Sequence, residues 1–198
     1  MKVLLVYAHT AGGSLLADSM DYLGKLFAEK GVKTDYLRIE NSQLKGCVAC
    51  GKCWRAGKCI FDDEVNKAIT LMQDCDALLV GSEVLYGKPG DQTVRFLERL
   101  FHAGTEVLAR KPASALLTSR RRTGSSAFLE ICDFFSKANM PVAAVQTGHV
   151  IYAEEGSHTV LSAIVSQLVW LMRCVDAGKK DNVDFSDGAP KRILDHVR

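Results

Sequence analysis

Neither sign of charge is in excess in this chain of 198 residues: 25 basic side chains face 23 acidic ones, for a net charge of +2. That field is too mild to recruit nucleic acid or an anionic membrane surface. A membrane-length apolar run is also missing. The longest begins at Val160, is interrupted by Ser162, Ser166 and Gln167, stops at Arg173, and reads as a core helix. No charged segment, apolar stretch and small-residue cleavage site can be assembled at the N-terminus, where Met1 to Val6 reads as a strand. A cytoplasmic protein is therefore expected. An odd count of seven cysteines in that compartment argues against a disulfide framework. Internal repeats and low-complexity segments are lacking. So are a P-loop, an H-E-x-x-H pair, a Ser/His/Asp triad signature and a G-x-G-x-x-G turn after a strand. Their absence leaves nothing to argue for phosphoryl transfer, metalloprotease work or hydrolysis, and no nicotinamide-binding fingerprint.

What is present is an ordinary globular composition, 47% hydrophobic and 24% charged, long enough for one domain with a full core. Short apolar runs alternate with helical periodicity. Strands are predicted at Val3 to Tyr7, Val32 to Ile39, Ala77 to Val80, Ala113 to Leu117 and Pro141 to Val145. Helices are predicted between them, the second capped by Asp62, and a long apolar helix from about His158 to Ala177 closes the series. Strands that alternate with helices pair in parallel through right-handed crossovers. The expected fold is a doubly wound α/β three-layer sandwich on a five-stranded parallel sheet, spanning residues 1–177, with a polar tail at 178–198. Its ligand belongs off the carboxyl ends of the strands. Three loops there are rich in Gly, Ser and Thr: residues 8–13, 83–90 and 118–126.

The most distinctive stretch is a cysteine-rich loop, residues 47–59. Cys47, Cys50 and Cys53 are each separated by two residues, and Cys59 follows after five more. C-x-x-C-x-x-C gathers thiolates around one point, as a cuboidal iron–sulfur cluster requires. Structural zinc more often uses two C-x-x-C knuckles a dozen or more residues apart. Four reduced thiols in a turn-rich loop is the bland alternative, and spacing leaves both open. Cys75, Cys132 and Cys174 sit in or beside apolar segments, where thiols usually pack.

Taken together, these loops resemble the flavodoxin-like NADPH-dependent FMN reductases, and within them the iron–sulfur flavoproteins. Cys47 to Cys59 followed by Asp62-Asp63 is similar to the compact cluster motif of that branch. Gly81-Ser82-Glu83-Val84-Leu85-Tyr86-Gly87 resembles the G-S-P-V-Y-x-G loop that lies along the flavin ring. Gln92 and the Phe96 to Arg99 stretch also fall at family positions. Thr118-Ser119-Arg120, continuing to Gly124-Ser125, resembles the third flavin loop. The first loop, His9-Thr10-Ala11-Gly12-Gly13-Ser14-Leu15, departs from the family's S-x-R-x-x-G-N-T. Its arginine has become Ala11, and Leu15-Leu16 follow where polar residues are usual.

The resemblance implies an FMN-dependent oxidoreductase, either a flavin or quinone-type reductase or an iron–sulfur flavoprotein electron carrier. It places FMN on His9, Thr10, Gly12, Gly13, Ser14 and Leu15, on Glu83, Val84, Leu85, Tyr86 and Gly87, and on Thr118, Ser119, Arg120, Gly124 and Ser125. It makes Cys47, Cys50, Cys53 and Cys59 candidate ligands of a [4Fe-4S] cluster, NADPH a donor, a small molecule or ferredoxin-type protein the partner, and a homodimer or homotetramer the assembly. No catalytic residue is assigned. Arg120, Arg121 and Arg122 are candidates to offset the charge of reduced flavin; Tyr86 and Trp54 are candidates to line its face. The competing reading is a flavin-free α/β binding or redox-sensing module whose four cysteines hold zinc or act as thiols.

Overall fold

The computed structural model describes residues 1–8, 15–40, 44–120, 124–152 and 157–183. The elements run β1 (Lys2–Ala8), α1 (Leu15–Glu29), β2 (Lys33–Ile39), α2 (Cys53–Ala56), α3 (Glu64–Gln73), β3 (Ala77–Leu85) and β4 (Lys88–Pro89). There follow α4 (Asp91–Ala103), α5 (Thr105–Leu108), β5 (Ala113–Thr118), α6 (Ser125–Lys137), β6 (Val150–Ile151) and α7 (Ser157–Lys180). The sheet order is β2-β1-β3-β5-β6, all parallel, with β4 hairpinned onto β3. β1 pairs with β2 on one side and β3 on the other, so Leu5 lies between Tyr36 and Leu79. Strand order reverses there, because β2 was laid to one side of β1 and β3 to the other.

Both faces of the sheet are covered, which is why β1 and β5 read as unbroken apolar runs. On one face Leu16, Met20, Leu23 and Phe27 of α1 pack with Leu161, Ile164, Val165 and Leu168 of α7. On the other Val65 and Met72 of α3, Phe96, Leu97 and Leu100 of α4, and Ile131 and Phe135 of α6 form the second core. Each such fully buried side chain contributes roughly 1.5–3 kcal/mol of transfer free energy. α7 is long and apolar enough to cross a membrane, but its stripe from Leu161 to Met172 is spent on this core. The expected three-layer sandwich is present, with its switch point between β1 and β3.

Three expectations need correction. The fifth strand is Val150–Ile151, not 141–145. Pro141 has no N–H, and only Val142 bridges back to the sheet, opposite Ala113. The backbone N–H of Val145 then bonds to His149 Nε2 at 3.1 Å, and the chain turns before rejoining β5 at Leu117 and Thr118. Second, β3 runs past Val80 to Leu85, and residues expected as an open loop form a hairpin with β4. Third, the cap of α3 is Asp63, whose Oδ1 accepts from Val65 N–H at 3.1 Å, rather than Asp62.

Candidate functional site

Two of the three expected loops meet above the carboxyl ends of β3 and β5. In the first of them, Tyr86 and Gly87 both have positive φ, 51° and 80°. This is the backbone of a tight two-residue hairpin turn, where glycine is favoured and tyrosine is strained. Val84 pairs with Pro89 and Leu85 with Lys88. At the base of the hairpin the Gly90 N–H donates to Ser82 Oγ at 3.0 Å and to the Glu83 carbonyl at 2.9 Å. Ser82 Oγ lies 3.0 Å from Thr93 Oγ1, which ties the hairpin to the first turn of α4. Tyr86 is fully exposed at the tip and Leu85 half exposed.

The other loop leaves β5 through buried Thr118 and Ser119 to exposed Arg120, and resumes at Gly124. A Cβ on Gly124 would stand 2.8 Å from Val150 Cγ2 and 3.4 Å from Val84 Cγ2, so only glycine fits this passage. One residue into α6, the Ser126 hydroxyl donates to the Gly87 carbonyl at 2.7 Å. Gln92 Oε1, in the first turn of α4, is buried without a hydrogen-bond partner among the described residues. An orphaned buried acceptor costs about 1–3 kcal/mol unless a bound group supplies a donor. An acceptor left without a donor fits a ligand that carries N–H groups. His9, Thr10, Gly12, Gly13 and Ser14 of the expected phosphate loop, with Arg121 and Arg122, lie outside the described residues. Leu15 begins α1 half buried, and Leu16 is wholly in the core; core packing accounts for the apolar pair after the loop.

The cysteine loop curls through left-handed residues Ala49, Gly51 and Gly57. Between them α2 makes one turn, ended by the Gly57 N–H donating to the Cys53 carbonyl at 2.8 Å. The curl brings Cys47, Cys50, Cys53 and Cys59 around one cavity of about 100 Å³, closed below by Arg99, His102 and Phe61. Burial pushes the Cys53 thiol up, and the other three sulfurs push it further, which reflects their mutual approach. Among the described residues no group of three or more Cys, His, Asp or Glu side chains is placed to hold a metal ion. Trp54, a candidate for the flavin face, lines this cavity. The lobe rests on α4 at Arg99, about 12 Å along the helix axis from Asp91 at the rise of an α-helix.

Cys59 is held most firmly. Asn66 clamps its backbone, with Oδ1 accepting from the Cys59 N–H at 2.8 Å and Nδ2 donating to its carbonyl at 3.0 Å. Arg99, 1% exposed, pairs with Asp63 and donates to Cys59 Sγ. Burial works against the guanidinium's charge, and Asp63 and Cys59 more than offset it, so its pKa stays raised. The sequence marks Arg99 only as the end of a stretch at family positions, without a role, and gives none to Asn66 or Ser126. A charge on the same helix face as Phe96 and Leu100 was the available signal for Arg99. Cys75 is buried and Cys132 half buried, both thiols pushed up to about 11 by burial, as packing thiols should be; Cys174 is exposed instead.

A five-stranded parallel sheet in this order, with paired loops at the carboxyl rim, defines a flavodoxin-like α/β protein. Solved structures share that fold: RosB with a bound flavin intermediate (TM-score 0.69, 14% identity, 96% of this chain and 89% of that one). The FerB flavoenzyme of Paracoccus denitrificans superposes at TM-score 0.61 (13% identity, 87% and 97%). The chain belongs to the NADPH-dependent FMN reductase family, whose profile matches residues 1–157. Curated relatives include an iron–sulfur flavoprotein of Methanosarcina thermophila, 29% identical over 98 residues (48% of this chain, 51% of the relative). Another, from Methanocaldococcus jannaschii, is 29% identical over 72 residues (36% and 37%). The chain thus matches only about a third to a half of those relatives' length.

Proposed function

We propose that this chain is an FMN-dependent oxidoreductase, with the flavin seated between the 83–90 hairpin and the 118–126 loop. The family match supports FMN as the cofactor. The observation that carries the seat is the Ser126–Gly87 bond, which joins the two loops beside the orphaned Gln92 acceptor. FMN, when bound, supplies the redox chemistry. The chain's part is to hold it. Gly124 lets the second loop close against Val150 and Val84, Gln92 Oε1 accepts from one of the ring's N–H groups, and Glu83, Val84, Leu85, Tyr86 and Gly87 form one wall. Thr118, Ser119, Arg120 and Ser125 form the other, Arg120 lending positive charge. The phosphate falls to residues 9–15, at the N-terminal end of α1.

In this reading NADPH is the donor, a small molecule or ferredoxin-type protein the partner, and the assembly a homodimer or homotetramer. Seven free thiols support a cytoplasmic, reducing setting. The cysteine lobe is a cluster site with Cys47, Cys50, Cys53 and Cys59 as ligands. What supports that reading is the donor set itself: four cysteines, three in a C-x-x-C-x-x-C run and one after it, line a single cavity. Fluorescence titration of apoprotein with FMN, followed by anaerobic bleaching with NADPH, tests the assignment. Saturable FMN quenching and NADPH-dependent loss of the flavin band are expected. A protein that binds no FMN returns the chain to the flavin-free alternative.

A further inference from the structure

The guanidinium of Arg99 has two usable edges, and both are occupied. Its end edge makes a fork with Asp63: Nη1 to Oδ2 at 2.7 Å and Nη2 to Oδ1 at 2.9 Å. Its side edge faces one sulfur, with Nε at 3.3 Å and Nη2 at 3.2 Å from Cys59 Sγ. Nη1 also donates to the Lys45 carbonyl at 3.1 Å, just before the first cysteine, and the plane stacks 4.9 Å from the Phe61 ring centre. Had the arginine served only to pair with the cap of α3, its side edge would have no reason to be turned to sulfur. Lysine could not do both, since its donors radiate from one point.

We propose that Arg99 is a positioning residue for the sulfur-rich site: oriented by Asp63, it fixes Cys59 Sγ and raises the site's reduction potential. The inference rests on reading the lobe as an iron–sulfur site. Two N–H donors on a ligand sulfur stabilise the more electron-rich state, and such bonds are among the determinants of cluster potential. The reduction concerned adds one electron, supplied in the test by dithionite, and moves no proton. Cys59 is the ligand so held because it lies outside the C-x-x-C-x-x-C run and is joined to α3 through Asn66. Its sulfur is the point where the lobe is fastened to the helical layer.

The test uses the full chain reconstituted anaerobically with ferrous iron and sulfide, then titrated with dithionite and followed by electron paramagnetic resonance. R99K keeps the charge but loses the fork. A D63N/R99Q pair removes both charges while Asn still caps α3. FMN affinity at the wild-type value in each variant reports an intact fold. A midpoint moved negative by a tenfold change in the reduced-to-oxidised ratio, ~59 mV for one electron, is expected for R99K, and a larger move for the pair. Loss of iron from R99K with FMN affinity retained also supports the proposal. Wild-type midpoints in both variants overturn it and leave the cluster reading standing. A wild-type chain that takes up no iron–sulfur chromophore overturns the cluster reading, and the role of Arg99 with it.

Discussion

The Ser126 hydroxyl and the Gly87 carbonyl are 2.7 Å apart, and they belong to different loops separated by 39 residues of chain. The bond spans from the first turn of α6 to the tip of the β3–β4 hairpin, so it sets the width of the gap between them. It is solvent-exposed, and its net worth to global stability is small. Its worth to a ligand held in that gap is larger, because both walls must keep register. S126A is expected to weaken FMN binding roughly two- to tenfold, the equivalent of one ordinary hydrogen bond, and to leave the melting temperature unchanged. Isothermal titration with FMN beside a thermal melt checks both; unchanged affinity would detach the bond from the site.

Gly124 tests the same gap from the side of β6. Its missing Cβ leaves room for Val150, which would otherwise lie 2.8 Å away. G124A is expected to destabilise the fold by about 1–3 kcal/mol, the usual cost of overpacking, and to weaken FMN binding more than S126A does. Urea unfolding of the apoprotein separates the two effects. A variant as stable as wild type would show that β6 yields without cost.

Much of this was legible in the sequence, and the reasons differ by element. β1 and β5 are covered on both faces, so their apolar runs announce themselves. The fifth strand was misplaced because 141–145 and 150–151 are both apolar; what separates them is Pro141 and the turn that His149 closes. The hairpin was hidden by Gly87 and Gly90, which mark loops as readily as tight turns. Cysteine spacing showed which thiols would gather. It could not show Arg99, because the partner of a buried charge lies 36 residues away at Asp63 and becomes a neighbour only once α3 and α4 are packed together.

His149 gives the fold a pH dependence. It is 4% exposed, stacks on Phe128 at 3.9 Å, has its Nδ1 2.8 Å from the Ala115 carbonyl, and accepts at Nε2 from Val145. Nδ1 is therefore the protonated nitrogen, and a second proton at Nε2 would break the Val145 bond. Burial lowers its pKa below the ordinary 6.5, against a smaller opposing effect of the Ala115 bond. A base with a depressed folded pKa is charged more readily when unfolded. Its contribution to stability is thus present above about 6.5 and is lost as pH falls from there toward the folded pKa. Chemical denaturation at pH 7.5 and 5.5 should show wild type losing up to about 1.4 kcal/mol in total from this group, an average slope of at most about 0.7 kcal/mol per pH unit. H149Q, less stable at pH 7.5, should lack that component; an equal slope in both proteins would rule His149 out as its source.

Removing the carboxylate of Asp63 should be costly, because it caps α3 and balances a guanidinium that is 1% exposed. D63A is expected to cost about 3 kcal/mol or more, a drop of roughly 6–12 °C in melting temperature for a chain of this size. D63N keeps the cap and should fall between. If D63A melts with wild type, Arg99 has found another counter-charge.

The cysteines divide by how they are anchored, and substitution should expose the division. Cys50 is exposed and lies in the loop, so C50A should abolish bound iron and leave the melting temperature of the apoprotein untouched. Cys59 is half buried, and its sulfur is the acceptor of two Arg99 N–H groups. C59A should also abolish iron, and in addition should destabilise the apoprotein by about 1–3 kcal/mol, because those buried donors are left without an acceptor. C59S restores an acceptor of similar shape and should recover part of that stability without recovering the metal. Iron analysis beside apoprotein melts of the three variants separates ligation from anchoring. Iron retained in C50A at full stoichiometry would remove the four-thiolate site, whereas equal melts for C50A and C59A would leave the site and remove its anchor.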